Sequence, residues 1–475
     1  MKQTYKNVDY NWLIKPTGDP FVDAGGYALE EVDRHYQGEK DILELIMLVA
    51  DIYIDKWNAK LNSFFLDSTI TQPAFKGDRK KQETQKYYLS LLNDEGGQPG
   101  FCRITGRKTM VFPGGRNNMV LTGSKTFVNF HHDFQSGIML SKEIIIRSFF
   151  LPLACELLQG KLALISCNVP DISKFFGQWV CNKNLSAVGK IAPGTILRAR
   201  SSMPGTALFR YADQVLEEEK KEFDHKSCGL TLYHFSNFGA NPELTIHQLP
   251  FQIMHFYVFT QRGQYKDCWN SFISRYYWKK GASYNEQENV FQVKENKKIT
   301  VVTNEDFKYW QNAIYESLLN GKSILPQMLD FVRVHEFIFQ IVKVYVLKIL
   351  NMKKETVDKI EQMADFIISS NDDRGIGKVL KKLDAATNSY LLRRIILKDV
   401  VAKNYDEGNS DLIVSVKDYV DYLFPDIDSW KETRDVLEIA IYEKLHEQHR
   451  EIAVEPVKDH AIKRMIKINR IWKII

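Results

Sequence analysis

From Pro326 to Ile475 almost every segment of the sequence is compatible with helix, whereas residues 1–325 hold most of the glycine and proline. A chain built this way cannot be one uniform layer of structure. Pro326 stands where a first helical residue tolerates proline, because that N–H has no intrahelical partner. Leu329–Leu350 is apolar nearly all round, which predicts a central buried helix. Lys354–Ser370, Arg374–Leu383, Asn388–Lys403, Leu412–Phe424 and Ser429–Gln448 predict further helices. Loops such as Asn371-Asp372-Asp373 and Glu407-Gly408-Asn409 separate them. The expectation is an all-α helical bundle over 326–475.

Residues 1–325 mix periods. Leu162–Cys167, Ile196–Ala199, Leu230–Phe235, Glu243–His247 and Lys298–Thr303 are short apolar runs of strand length. Lys40–Leu61 carries the 3.6-residue rhythm at Ile42, Leu45, Ile46, Val49, Ile52, Tyr53 and Trp57, which predicts a helix. Lys142–Gln159 and Phe251–Tyr277 are long apolar-rich segments that predict helices too. The fold class expected is α+β: a mixed domain over 1–325, then the bundle over 326–475.

Hydrophobic residues at 44% and charged residues at 26% give a globular balance and exclude wholesale disorder. A net charge of +5 excludes a histone-like protein and leaves local basic patches open. The six cysteines show no disulfide framework, which fits a reducing cytoplasm. Met1–Tyr10 carries no apolar leader run. Arg147 interrupts the greasy stretch Ile144–Leu158, and Lys343 and Lys348 interrupt Phe337–Leu350. Neither reaches the ~20 apolar residues that span a bilayer. A cytoplasmic protein with no membrane partner is expected.

Thr122-Gly123-Ser124-Lys125-Thr126 fails as a phosphate-binding P-loop, because Ser124 separates the glycine from the lysine. His131-His132-Asp133 is the one candidate for a metal-dependent nuclease, but adjacent residues on a strand face opposite sides. No nucleophile elbow is present. No catalytic residue and no cofactor is therefore expected. Arg103, Arg107, Lys108, Arg116 and Lys125 cluster around glycine-rich turns together with Asn117, Asn118 and Asn129. Such side chains suit phosphates and base edges. Arg374, Lys378 and Lys381 lie at i, i+4 and i+7, and Arg394 and Lys398 repeat the spacing in the next helix. Two basic stripes of this kind suit a phosphate backbone, or else an acidic protein partner of a helical adaptor. His460–Ile475 has five basic residues and no acidic one.

Several motifs in order resemble one family: Thr17-Gly18-Asp19-Pro20-Phe21-Val22-Asp23-Ala24-Gly25; Leu121-Thr122-Gly123-Ser124 with Asn129-Phe130; Leu151-Pro152-Leu153; and Phe235-Ser236-Asn237-Phe238-Gly239 with Pro242 and Leu249-Pro250. The order resembles the large subunit of type I-B CRISPR surveillance complexes, in the Cst-type branch. The resemblance covers roughly residues 15–255 by motif and the helical end by architecture.

The resemblance implies a non-enzymatic subunit of a crRNA-bound complex with backbone and 5′-handle subunits. It implies reading of a short PAM in target double-stranded DNA and support of the R-loop strands. The site residues it implies are Arg116, Asn117, Asn118, Lys125, Asn129 and Asn237 at the PAM, and Arg374, Lys378, Lys381, Arg394 and Lys398 on the DNA backbone. Further implied partners are a small subunit and helicase–nuclease or transposition proteins. The composition shift at 325 adds the expectation that 326–475 stands alone as such a subunit from an internal start. Met328, Met352 and Met363 are available, and Met328 or an upstream codon is preferred, because a start at Met352 discards the helix expected over Leu329–Leu350. Family members carry two Cys-x-x-Cys pairs that bind zinc. Here those positions are Cys102, Thr105, Ser141 and Ile144, so no zinc is expected.

Overall fold

The computed structural model describes residues 1–57, 59, 61–122, 137–189, 196–218, 228–237, 242–295, 298–426 and 428–450. Helices are joined to several small antiparallel sheets, a mixed α+β architecture with a helical C-terminal region. Two compact units divide the chain. One is Met1–Met254 with Asp306–Gln311, and the other is His255–Glu305 with the chain from Asn312 onward.

In the first unit, the helix Pro20–His35 starts where Asp19 accepts hydrogen bonds from the N–H groups of Phe21 and Val22 at 3.0 and 2.9 Å. The helix Lys142–Phe150 crosses it closely at Gly25 and Gly26. A Cβ on Gly25 would stand 2.1 Å from the Arg147 carbonyl oxygen. The Ile42–Asp51 helix opens with a capping box between Asp41 and Glu44. It runs on through a π-helical turn, Ile52–Lys56, and stops short of the expected Leu61.

The expected helix Lys142–Gln159 ends early. Pro152 sits in a 3-10 turn, Leu151–Ala154, and the chain then forms a strand, Glu156–Leu158. That strand edges an antiparallel sheet that continues through Lys161–Cys167, Leu230–Ser236 and Glu243–Leu249. The run Ile196–Ala199 is not a strand. Leu197 has φ +64°, its N–H is taken by Asn184 Oδ1 at 3.0 Å, and a single bridge joins Leu157 to Arg198. A second antiparallel sheet holds Gln98–Phe101, Lys108–Gly114 and Ile138–Ser141. Aromatic rings fill the core: Phe235 stands edge-on to Phe21 at 5.1 Å, and Phe149 packs on Tyr53, Phe65 and Tyr88.

The expected helix Phe251–Tyr277 is two, Phe251–Thr260 and Gly263–Ser274, parted where Gly263 takes φ +48°. The second unit also holds the sheet Ala282–Asn285, Val290–Glu295 and Lys298–Val302. From Leu325 onward the described elements are all helical. The central one is Trp430–Glu447, which packs against Leu325–Val332, Phe339–Lys348 and Lys354–Ser369 and buries Val436, Ile439, Ala440 and Ile441.

The central helix expected over Leu329–Leu350 is broken between Val332 and Phe339. The reason lies in three rings. Phe331 and Phe337 both stand 5.5 Å from Phe272 and 5.6 Å from each other. Six residues of unbroken helix would turn through about 600° and leave the two rings about 120° apart. The break brings both onto Phe272 and lets Arg333 reach Glu438 at 3.2 Å. The second unit already holds His255–Glu305 and runs on from Asn312, so the compact units do not part at the expected boundary between 325 and 326. The expected helix Leu412–Phe424 is reduced to a π-helical stretch, Asp418–Leu423. Among the described residues no helix is long and apolar enough to cross a membrane.

Candidate nucleic-acid interface

The helix Asp373–Asp384 is N-capped by Asp372, whose carboxylate accepts the Gly375 N–H at 2.7 Å. Its buried face is Ile376, Val379, Leu380 and Leu383. Helical periodicity then puts Arg374, Lys378 and Lys381 on the opposite side, and all three are exposed. The next helix, Ser389–Ile395, is capped by Asn388 on the Leu391 N–H and continues into the π-helical stretch Ile396–Ala402. It buries Leu392, Ile395, Ile396 and Val400 and exposes Arg394 and Lys398. The two helices pack against each other.

Among the described residues none of these five cations has an ion-pair partner. The neighbouring Lys382 shows the contrast, with Asp399 holding it at 2.7 and 3.0 Å. The result is a double cationic ridge turned away from the core. Charge counting missed one member. Tyr390 is 68% exposed, four residues before Arg394 on the same outward face. An exposed ring among unpaired cations is what base stacking uses, and the i, i+4 spacing was visible in the sequence.

The expected PAM residues divide differently. Asn118 is buried. Its Oδ1 accepts the Gly115 N–H at 2.9 Å, and its Nδ2 donates to Tyr87 Oη at 2.9 Å and to the Pro113 carbonyl at 3.3 Å. Asn237 is fully buried. Its Oδ1 accepts the Leu121 N–H at 3.2 Å, and its Nδ2 donates to the Phe64 carbonyl at 3.0 Å. Both amides are consumed in internal hydrogen bonds, so neither offers an edge to a base. Arg116 is half-buried and donates to the Asn237 carbonyl at 3.0 Å. Asn117 is half-buried beside a cavity. Lys125 and Asn129 lie outside the described residues, as do His131, His132 and Asp133. The chain leading into them is nonetheless anchored. Asn237 holds Leu121 on one side, and Gly137, at φ +70°, lies against Gly114 on the other, where a Cβ would meet a carbonyl oxygen at 2.2 Å.

Cys102, Thr105 and Ser141 do come together. Burial pushes the Cys102 thiol up. Hydrogen bonds from the Thr105 hydroxyl and from the N–H groups of Ser141, Thr105 and Ile104 outweigh it and leave the thiol below its ordinary value. Ile144 offers no donor atom, and the set does not fit a tetrahedral metal. A separate cavity of about 340 Å³ has several of its ionic groups paired to one another. Lys183 and the Tyr211 hydroxyl bind Glu156, and Arg210 binds Asp213 at 2.8 Å.

No protein-family model matches the chain, and no curated protein matches it.

Proposed function

We propose that this chain is the DNA-recognition large subunit of a type I-B CRISPR surveillance complex of the Cst-type branch, acting by binding and not by catalysis. The observation that carries the reading is the double ridge: five exposed cations without acidic partners, on the outward faces of two adjacent helices, beside an exposed tyrosine. A phosphate backbone is the partner whose charge repeats at such spacing. The motif order of residues 15–255 supplies the family, and the motif residues Phe21, Phe235 and Asn237 serve its core. In this reading Arg116, Asn117, Lys125 and Asn129 make the PAM contacts, while Asn118 and Asn237 position that loop. The complex's other subunits, its crRNA and its small subunit are the remaining partners.

A helical adaptor for acidic proteins would use the same ridge, but Tyr390 favours nucleic acid, since a ring face stacks on bases. The test is a titration of the full chain with labelled duplex and single-stranded DNA, with and without Mg²⁺ or Mn²⁺. Salt-sensitive binding that leaves the DNA intact supports the proposal. Cutting that is lost on His131→Ala and His132→Ala replaces it with the nuclease reading. Binding to acidic proteins and not to DNA replaces it with the adaptor reading.

A further inference from the structure

The geometry points to a capture pocket for one unpaired nucleobase in the first unit, beside Asn117. A cavity of about 240 Å³ is lined by Phe65, Tyr87, Tyr88, Phe149, Thr84 and Asn117 among others. Pockets for drug-sized ligands run to roughly 300–1,000 Å³, so this one suits a single ring system.

Its polar groups are unsatisfied in a way that specifies a ligand. Thr84 is 2% exposed, and its hydroxyl has no hydrogen-bond partner. Asn117 Oδ1 is also buried without a partner. Buried polar atoms in folded proteins are almost always paired, so two unpaired ones on a single cavity offer hydrogen-bonding positions to a ligand. The occupant must donate to the amide oxygen and accept from, or donate to, the hydroxyl. Tyr87 adds a second hydroxyl. Its oxygen accepts from Asn118 Nδ2 at 2.9 Å, which leaves its own hydrogen to give. Every nucleobase carries a donor next to an acceptor on its pairing edge, and its faces suit the aromatic walls.

The charge excludes the other half of a nucleotide. No Lys or Arg lines the cavity, and Asp67 does. A phosphate would be repelled, so the backbone must stay outside while the base enters. An extruded base in an aromatic pocket, read through its pairing edge, is how proteins hold a base out of the stack. The inference rests on the nucleic-acid reading above, because it supposes that a strand delivers the base.

The test uses the full chain and the δ1 methyl NMR signal of Ile70, which lines the cavity, assigned through Ile70→Val. Adenosine, cytidine and uridine are titrated, with ribose 5-phosphate as the phosphate-only probe. The nucleosides are expected to move the Ile70 signal, and ribose 5-phosphate to leave it in place. Thr84→Val keeps shape and removes one hydrogen bond, so nucleoside affinity is expected to fall about fivefold or more. The melting temperature should hold or rise, since the orphan hydroxyl is gone, and this separates lost binding from lost folding. An unmoved Ile70 signal at millimolar nucleoside would mean that the cavity holds only water, and would overturn the pocket. An equal response to ribose 5-phosphate, or a Thr84→Val chain with unchanged affinity, would overturn it as well. A labelled dA oligonucleotide against its abasic counterpart tells a strand-borne base from a free one: preference for the oligonucleotide with bases is expected, and equal affinity would overturn delivery by a strand. If the chain binds DNA while no nucleoside moves Ile70, the pocket fails and the DNA reading stands. If nucleosides bind and DNA does not, the pocket stands and the DNA reading fails.

Discussion

Arg147 Nη2 donates to Asp23 Oδ1 across 2.6 Å, and Arg147 is entirely shielded from solvent. The other two guanidinium nitrogens reach backbone carbonyls: Nε reaches Val22 at 2.9 Å, and Nη1 reaches Lys15 at 2.7 Å and Trp12 at 3.2 Å. Asp23 in turn accepts from the Thr17 N–H and hydroxyl at 2.8 Å and from the Gly18 N–H at 3.0 Å. One ion pair thus ties the N-terminal motif to the crossing helix.

Removing one partner leaves the other charge buried and uncompensated. Arg147→Met or Asp23→Asn is expected to cost about 3–5 kcal/mol in urea unfolding. Gly25→Ala, with its Cβ against the Arg147 carbonyl, should also destabilise the first unit. A loss below about 1 kcal/mol for Arg147→Met would show that the pair is not an anchor.

Arg147 also shows where the sequence was legible. It was visible there only as an interruption in an apolar run, because its partner lies 124 positions away. The five cations of the ridge were legible, since a local 3.6-residue period sets which way a helical side chain faces, whereas Tyr390 on the same face carries no charge and escaped charge counting. Asn118 and Asn237 misled for the opposite reason. An asparagine among glycines suits a surface turn, and the contact that buries Asn237 comes from Leu121, 116 positions away. The break after Val332 was likewise set by a distant ring, Phe272.

Asn237→Ala would orphan the Leu121 N–H and the Phe64 carbonyl in the interior. Each such group costs about 1–3 kcal/mol, so a clear drop in melting temperature is expected before any effect on DNA is measured. Lys125→Ala with Asn129→Ala should do the reverse: unchanged melting, and weakened or relaxed PAM selection in the assembled complex. Equal melting temperatures for the two variants would remove the positioning role of Asn237.

Burial, with Glu447 nearby, pushes the Glu443 carboxyl up to about 7, while the Phe339 N–H and Lys444 pull it back. Glu361 adds to the upward push. A raised folded value means that the native state holds a proton which the unfolded chain has already released. The stability due to this group is complete below the ordinary carboxylate range and is lost as pH rises toward about 7. Melting temperature measured from pH 5 to pH 7.5 should therefore fall more steeply for the wild-type chain than for Glu443→Gln. Parallel profiles would show that Glu443 does not contribute.

An internally started small subunit needs the Phe272 ring as well as Phe331 and Phe337. A product beginning at Met254 keeps all three and is expected to be soluble with a cooperative melt. One beginning at Met328 loses Phe272, and one beginning at Met352 loses all three. Each buried side chain lost forfeits roughly 1.5–3 kcal/mol, a large part of a domain's stability. Both shorter products should be poorly soluble or molten. A cooperative melt from the Met352 product would refute this account of the second unit.

The central claim is that the exposed ridge binds a phosphate backbone. The direct measurement is the dependence of DNA affinity on salt for the full chain, compared with a chain in which Arg374, Lys378, Lys381, Arg394 and Lys398 are changed to Glu. Each phosphate contact contributes about 0.9 to the slope of log affinity against log salt. The slope should be shallower by roughly four to five units in the variant, uniformly across DNA sequences, with unchanged melting temperature. The same slope in both chains would contradict it and would leave the ridge as an ordinary solvated face.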